Sequence, residues 1–393
     1  MPNPTPLPWV DTIDRYDVSI IVPTYNRAHY IEECLDSLIN QTQPAIEIIV
    51  IDDGSEDDTA ERVSQYGDKI RYIKKVNGGK PTAVNLALTL VRGNLIWLFD
   101  DDDVALPNAT EHRVAALQKR PDAGFVYCPH YWGTDGYNGR IDQGCLNDVP
   151  YYSDEMLFSE LIKGCFFHLG SVLVRMEAYQ LAGNFDTSLL SSEDYDMQIR
   201  LARVVNAAYS PEPCFIFRQH SGERGAKKIR YGAAERSAIF RKYDTQVGLK
   251  LRSALSLGEY LVPRTVTVTS VEQERQALLA RMVVMASKAC IAEMFEDLQA
   301  ALATLEPDQH LNDNEASLVT SAICTGYAYA ASQANWATFK RHVARIGEHA
   351  AGKQATVALA KGFFRLAKSY PGSVNERARR LFISILIWIR LYA

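Results

Sequence analysis

Between Val18 and Arg218, short apolar runs rich in β-branched residues alternate with stretches whose apolar residues recur at helical spacing. Val18–Val22, Ile46–Ile51, Ile70–Lys74, Leu95–Phe99, Phe125–Cys128, Ser171–Val174 and Cys214–Arg218 read as strands. Ile31, Cys34, Leu35, Leu38 and Ile39 fall on one helical stripe, and Pro81–Val91 reads as a helix that Gly93 stops. This alternation predicts an α/β domain built on a mostly parallel sheet. From about Leu249 the texture changes to alanine-rich helical segments, Val271–Leu305, Glu315–His349 and Lys353–Tyr370, with few strand signals. The expected organisation is an α/β domain over 1–248 and a helical domain over 249–393, which suits a chain of 393 residues. No signature residues return at a fixed period, so a helical-repeat array is not indicated.

Charge narrows the classes of partner. Lysine plus arginine total 42 against 47 acidic residues, a net charge of −5, which supplies no chain-wide polycation for nucleic acid. The cysteines at 34, 128, 145, 165, 214, 290 and 324 are scattered and never form C-x-x-C, so neither a disulfide framework nor a zinc ribbon is expected. Cys128 near His130 and Cys165 near His168 invite a zinc reading, but no second pair stands at metal-site spacing. Nothing near Met1 has the basic-then-apolar layout of a secretory leader, and no stretch is long and apolar enough to span a bilayer. A cytoplasmic chain is the expectation.

In open parallel sheets ligands sit beyond the carboxyl ends of the strands, so the polar residues that follow each strand are the candidates for chemistry. The first strand runs into Pro23-Thr24-Tyr25-Asn26-Arg27, the second into Asp52-Asp53-Gly54-Ser55, the fourth into Asp100-Asp101-Asp102-Asp103. Four adjacent aspartates repel one another unless a cation neutralises them, and Mg2+ or Mn2+, held by one or two carboxylates and substrate phosphates, is the natural partner. A solvated acidic turn is the alternative. Ser55 with Asp58 is spaced as a helix cap, whereas Asp53 lies ahead of it and can accept from a base N–H or a ribose hydroxyl. Ser191 and Asp194 are spaced as a second cap, and a carboxylate in that helical turn would also be kept ionised, as a general base requires. His220 follows the last strand and reads either as a structural histidine or as an imidazole near a metal or phosphate.

Taken in order, Val18-Ser19-Ile20-Ile21-Val22-Pro23-Thr24-Tyr25-Asn26-Arg27, then Asp52-Asp53-Gly54-Ser55, the aspartate run and Glu193-Asp194 resemble the family 2 inverting glycosyltransferases of the GT-A fold, of the kind that builds bacterial polysaccharides. The resemblance covers roughly Asp17 to Gly222 and rests on the order and spacing of four motifs. It implies that Pro23 and Tyr25 lie beside the nucleotide base of a nucleotide-sugar donor, within a loop that includes Thr24, Asn26 and Arg27. It also implies Asp53, with Asp52, on the base or ribose. Asp100 and Asp102 fill the family's D-x-D pattern, with Asp101 near the ribose and Asp102 on the Mg2+ or Mn2+, the register being open by one residue. Asp194 matches the general base, Glu193 lies on the acceptor side, and His220 resembles a histidine that reaches the metal or pyrophosphate. The segment Asn77–Asn85 resembles the loop and helix beside the donor, but Val84 stands where a cation often precedes Asn85. Lys80 is the candidate replacement, the alternative being an exposed lysine on a glycine turn.

The implied reaction moves a sugar, with UDP the family's habitual nucleotide, onto a saccharide or lipid-linked saccharide. Sugar-nucleotide nucleotidyltransferases share a related fold, but usually carry a glycine-rich basic loop where this chain has Pro23-Thr24-Tyr25-Asn26. A catalytically silent scaffold is the other alternative. The end of the chain, 376–393, joins a basic cluster to an apolar run, as a segment lying on an anionic membrane face would. A helix docked on its own domain or on a second subunit of a homo-oligomer has the same pattern.

Overall fold

Residues 15–137, 139–222, 231–232, 234–324, 336–346 and 349–369 are described by a computed structural model. The chain falls into two units, one comprising residues up to Asp154 with Cys165–Ile239, the other Glu155–Gly164 with Phe240 onward. This division and the expected boundary at 248 both fall within the helix Arg236–Ala254.

The first unit runs β1 (Val18–Thr24), α1 (Ile31–Ile39), β2 (Glu47–Asp52), α2 (Thr59–Ser64), β3 (Arg71–Lys74), α3 (Lys80–Leu88), β4 (Leu95–Leu98), β5 (Val104–Ala105) and α4 (Ala109–Lys119). It continues through β6 (Ala123–Tyr127), β7 (His130–Asp135), β8 (Ile141–Asn147), α5 (Asp154–Leu161), of which only the first residue belongs to this unit, β9 (Val172–Arg175), α6 (Met176–Ala182), α7 (Glu193–Val204), β10 (Asn206–Tyr209) and β11 (Phe215–Gln219). The strands of the main sheet lie in the order β10-β6-β9-β4-β1-β2-β3, parallel except for β9, which runs antiparallel to β4 and β6. β1, β2 and β4 are buried along their whole length, which explains why they read as continuous apolar runs rather than as alternating ones. The α1 stripe of Ile31, Cys34, Leu35 and Leu38 packs into the same core as Val18, Ile20, Val22 and Trp97. Each large apolar side chain buried there contributes about 1.5–3 kcal/mol before entropy is counted.

Two expectations change. The strand expected at Cys214–Arg218 forms as β11, but in a second sheet of order β5-β11-β7-β8. There β11 lies antiparallel to β5, the short strand that follows the aspartate run. Gly93 does not stop α3, which ends earlier, at Leu88. A Cβ at Gly93 would come within 2.5 Å of the Asp17 carbonyl oxygen and 2.7 Å of the Ser19 nitrogen, so glycine is required there by close approach of backbones.

In the second unit, α8 (Arg236–Ala254), of which the residues from Phe240 on belong to this unit, precedes α9 (Val271–Ser287), α10 (Ile291–Leu302), α11 (Asp313–Ala322), α12 (Trp336–Ala344) and α13 (Ala350–Ser369). α9 packs on α10 and α11, and α11 on α13, around Met282, Met285, Phe295, Leu298, Val319, Leu359 and Phe363. The expected single segment Val271–Leu305 is thus two helices, separated where Ala289 takes a positive φ of 61°. Asn312 and Glu315 form a reciprocal capping box at the start of α11. Among the described residues no helix is long and apolar enough to cross a membrane. The expected membrane segment 376–393 and parts of the expected helices at Glu315–His349 and Lys353–Tyr370 lie outside the described residues.

Candidate active site

β4, β1 and β2 are neighbours and parallel, so the loops leaving their carboxyl ends meet along one edge of the sheet. Pro23 and Thr24 are buried at the end of β1, and Tyr25 is half-buried in the loop beyond. Asn26 takes a positive φ of 54°. Its amide donates to the Ser55 hydroxyl at 2.9 Å and its side-chain oxygen accepts from the Glu56 amide at 2.8 Å. The first two loops are stitched together by these bonds. Ser55 therefore does not form the expected cap with Asp58; α2 begins at an Asp58 N-cap that makes no side-chain capping bond.

Asp52 and Asp53 divide their work. Asp52 is fully buried, and its carboxylate accepts from the Ser55 amide at 2.6 Å and from the Tyr72 hydroxyl. Both of its oxygens are used in holding the turn. Asp53 faces the start of α3, accepting from the Gly78 and Gly79 amides at 2.9 and 2.7 Å and from Lys75 Nζ at 2.5 Å. Gly79, at φ 92°, has the backbone conformation that aims its amide this way.

The aspartate run is reconciled by giving each member a different partner. Lys80 Nζ donates to Asp100 at 2.5 Å, Arg27 lies 3.6 Å from Asp101, the Arg218 amide donates to Asp103 at 2.8 Å, and His220 Nε2 lies 2.9 Å from Asp102 Oδ2. Burial pushes the Asp101 carboxyl up to about 7, against the opposing charge of Arg27 and with the help of Asp102 and Asp100. Protein cations thus compensate part of a charge that the sequence alone assigned to a metal.

α7 carries Glu193 and Asp194 in its first turn. Its N-cap, Ser192, has a positive φ of 60° and makes no side-chain capping bond, and Asp194 accepts from the adjacent Tyr195 amide at 2.8 Å, so the expected cap between Ser191 and Asp194 does not form. Glu193 is 7 % exposed and lies 3.5 Å from Lys80 Nζ. Burial pushes its carboxyl up to about 7, opposed by Lys80 and reinforced by Asp194 and Asp100. Burial alone would lower the Lys80 pKa, but Asp100, Glu193 and Asp194 outweigh it and raise it, so the ammonium is charged across the physiological range. Lys80 is therefore not an exposed turn lysine. It spans the end of β4 and the start of α7.

The first turn of α3 consequently touches all three loci, with Gly79 on Asp53 and Lys80 on Asp100 and Glu193. Asn85, further along α3, faces elsewhere. Its amide group exchanges two hydrogen bonds with the backbone of Phe185, at 2.9 and 2.8 Å, and so tethers the loop that leads into α7.

Among the described residues no group of three or more histidine, cysteine, aspartate or glutamate side chains forms a preassembled metal site. The chemistry of the Asp102–His220 pair nonetheless fits a small divalent ion. An octahedron with bonds of 2.0–2.1 Å has edges of about 3 Å, and the two donor atoms stand 2.9 Å apart. His220 is buried, and among the described residues its Nδ1 has no hydrogen-bond partner. Sequence reasoning missed Lys75, Tyr72 and Arg218. Lys75 follows a strand, so the rule that found the aspartates could have found it. Tyr72 and Arg218 lie inside strands.

Residues 19–181 match the family model described as Glycosyl transferase family 2. An uncharacterized glycosyltransferase of Rickettsia prowazekii is 36% identical over 219 residues, covering 52% of this chain and 65% of that protein. The hyaluronan synthase of Pasteurella multocida is 30% identical over 218 residues, covering 54% of this chain and 21% of that protein. The match thus spans less than two thirds of the length of either relative. S. aureus TarS 1-349, solved in complex with UDP-GlcNAc, superposes with a TM-score of 0.53 at 18% identity, over 83% of this chain and 90% of that one. At that identity the likeness is one of fold, the GT-A fold.

Proposed function

Because residues 19–181 of this chain are a glycosyl transferase family 2 domain, we propose that the protein transfers a sugar from a nucleotide-sugar donor to an acceptor hydroxyl, with inversion at the anomeric carbon. The observation that carries this reading is the first turn of α3, whose contacts gather the nucleotide-side carboxylate Asp53, the diphosphate-side Asp100 and the acceptor-side Glu193 around one helix start. A UDP-sugar is the donor we favour, by the fold shared with a protein solved with UDP-GlcNAc. A saccharide is the acceptor we favour, by the relatives named hyaluronan synthase and chondroitin synthase.

In this reading the loop Thr24–Arg27 and Asp53 border the base and ribose. Asp102 and His220 would hold Mg2+ or Mn2+, which supplies electrostatic stabilisation to the departing diphosphate when bound. Within the run Asp102 is the carboxylate that stands beside an imidazole, which favours it as the ligand. Lys80 adds a permanent positive charge to the same side. Asp194 accepts the proton of the acceptor hydroxyl as its oxygen attacks the anomeric carbon opposite the leaving diphosphate, and a single displacement inverts the centre. Glu193, buried beside it, orients the acceptor. The loop after β1 has no glycine to cradle a triphosphate, which disfavours nucleotidyl transfer.

The deciding experiment is a panel of nucleotide sugars incubated with the full chain and Mn2+ or Mg2+, with release of nucleotide as the readout. Release from one donor class that chelator abolishes is expected. Nucleotide sugars left intact across the panel, in the presence of saccharide acceptors, would favour the silent-scaffold alternative.

A further inference from the structure

Arg218 is a fully buried arginine that follows three apolar residues in β11, and nothing in the proposed reaction uses it. Each of the three guanidinium nitrogens nonetheless has a specific partner. Nε donates to the Asp102 carbonyl oxygen at 2.7 Å, NH1 to Asp135 at 2.7 Å and NH2 to Glu33 at 2.5 Å, while the group lies 4.5 Å over the Tyr30 ring. Its backbone amide also holds Asp103. The Tyr30 hydroxyl closes the cluster by donating to Asp135 at 3.1 Å, and its ring lies 5.4 Å from that of His220.

The strand pairing explains why these contacts matter to the site. β5 and β11 pair antiparallel with Val104 opposite Ile216, and extending that register sets Asp102 opposite Arg218. Period two along β11 turns Ile216 and Arg218 to one side, and His220, one residue past the strand's end, brings its ring 5.4 Å from that of Tyr30, over which the Arg218 guanidinium also lies. The two side chains proposed to hold the cation thus come from segments whose mutual register Arg218 fixes by gripping one by its carbonyl and belonging to the other. A cation buried near a metal site would repel the metal; Glu33 and Asp135 neutralise it.

We infer that Arg218 is the positioning residue of the cation site, holding the Asp102 turn against β11 so that Asp102 Oδ2 and His220 Nε2 converge. This rests on the proposed metal reading. Residues that orient metal ligands without touching the metal typically change its affinity by about 10–100-fold when altered. Lysine at 218 keeps the charge but lacks the planar fork that reaches the Asp102 carbonyl, Asp135 and Glu33 together.

The test is Mn2+ titration of the full chain in the presence of UDP, with unbound Mn2+ read by electron paramagnetic resonance and the fold checked by circular dichroism. Arg218→Lys weakens Mn2+ binding by about 10–100-fold while native-like helix and sheet signals persist, and Asp135→Asn, which leaves Arg218 in place, weakens it by less. Folded Arg218→Lys with wild-type Mn2+ affinity overturns the inference. If Arg218→Lys does not fold, Asp135→Asn decides, and unchanged affinity in that variant overturns it equally. Wild-type protein that binds no Mn2+ with UDP present removes the metal reading itself, and the role of Arg218 with it, a result distinct from the other two.

Discussion

Asp194→Ala and Asp194→Asn lose sugar transfer by at least about 10²–10⁴-fold, the range a positioned general base contributes, while nucleotide-sugar binding stays near wild type. The reasoning starts from position. Asp194 stands in the first turn of α7 and is only half-buried. Its neighbour Glu193 is more deeply buried, its carboxyl is pushed up to about 7, and it lies beside Lys80. Of the two, Asp194 is the better placed to meet an alcohol from solvent, and Glu193 the better placed to hold one. Steady-state turnover and calorimetric titration with the donor separate the two effects. A parallel loss of donor affinity in Asp194→Asn, with turnover of bound donor intact, contradicts the assignment.

Asp102→Asn and His220→Gln lose the stimulation by divalent metal. A metal at a departing diphosphate supplies several kcal/mol, and each 1.36 kcal/mol is a factor of ten in rate, so turnover falls by about two to three orders of magnitude. Asp100→Asn and Asp101→Asn serve as register controls, because Lys80 and Arg27 already face those carboxylates. Rates measured against Mn2+ concentration for the four variants decide the question. Metal dependence lost in Asp101→Asn but kept in Asp102→Asn shifts the register by one residue.

The residues legible in the sequence are those whose role follows from local pattern. Continuous apolar runs announce β1, β2 and β4 because the strands are buried on both faces, and the acidic clusters at their ends announce the candidate site because that is the end of an open parallel sheet where ligands gather. What was not legible depends on partners far along the chain. Ser55 looked like a cap for the helix just ahead of it, but its hydroxyl serves Asn26. Asn85 looked like a donor contact, but its amide matches the backbone of Phe185, a hundred positions away. Asp52 resembled its neighbour Asp53 until Tyr72 took one of its oxygens. β8 was missed because most of its residues are exposed, so no apolar pattern marks it. The ion pairs of Lys80 were not legible because its two carboxylates come from separate elements that only folding brings together.

The central claim is that carboxylates from separate loops serve one diphosphate. A crystal of the full chain soaked with UDP and Mn2+, with data collected at the manganese edge, tests it directly. One anomalous peak between Asp102 and His220, with the uridine toward Asp53 and the diphosphate beside Lys80, is the predicted result. Manganese bound elsewhere, or UDP lying away from the start of α3, would contradict it.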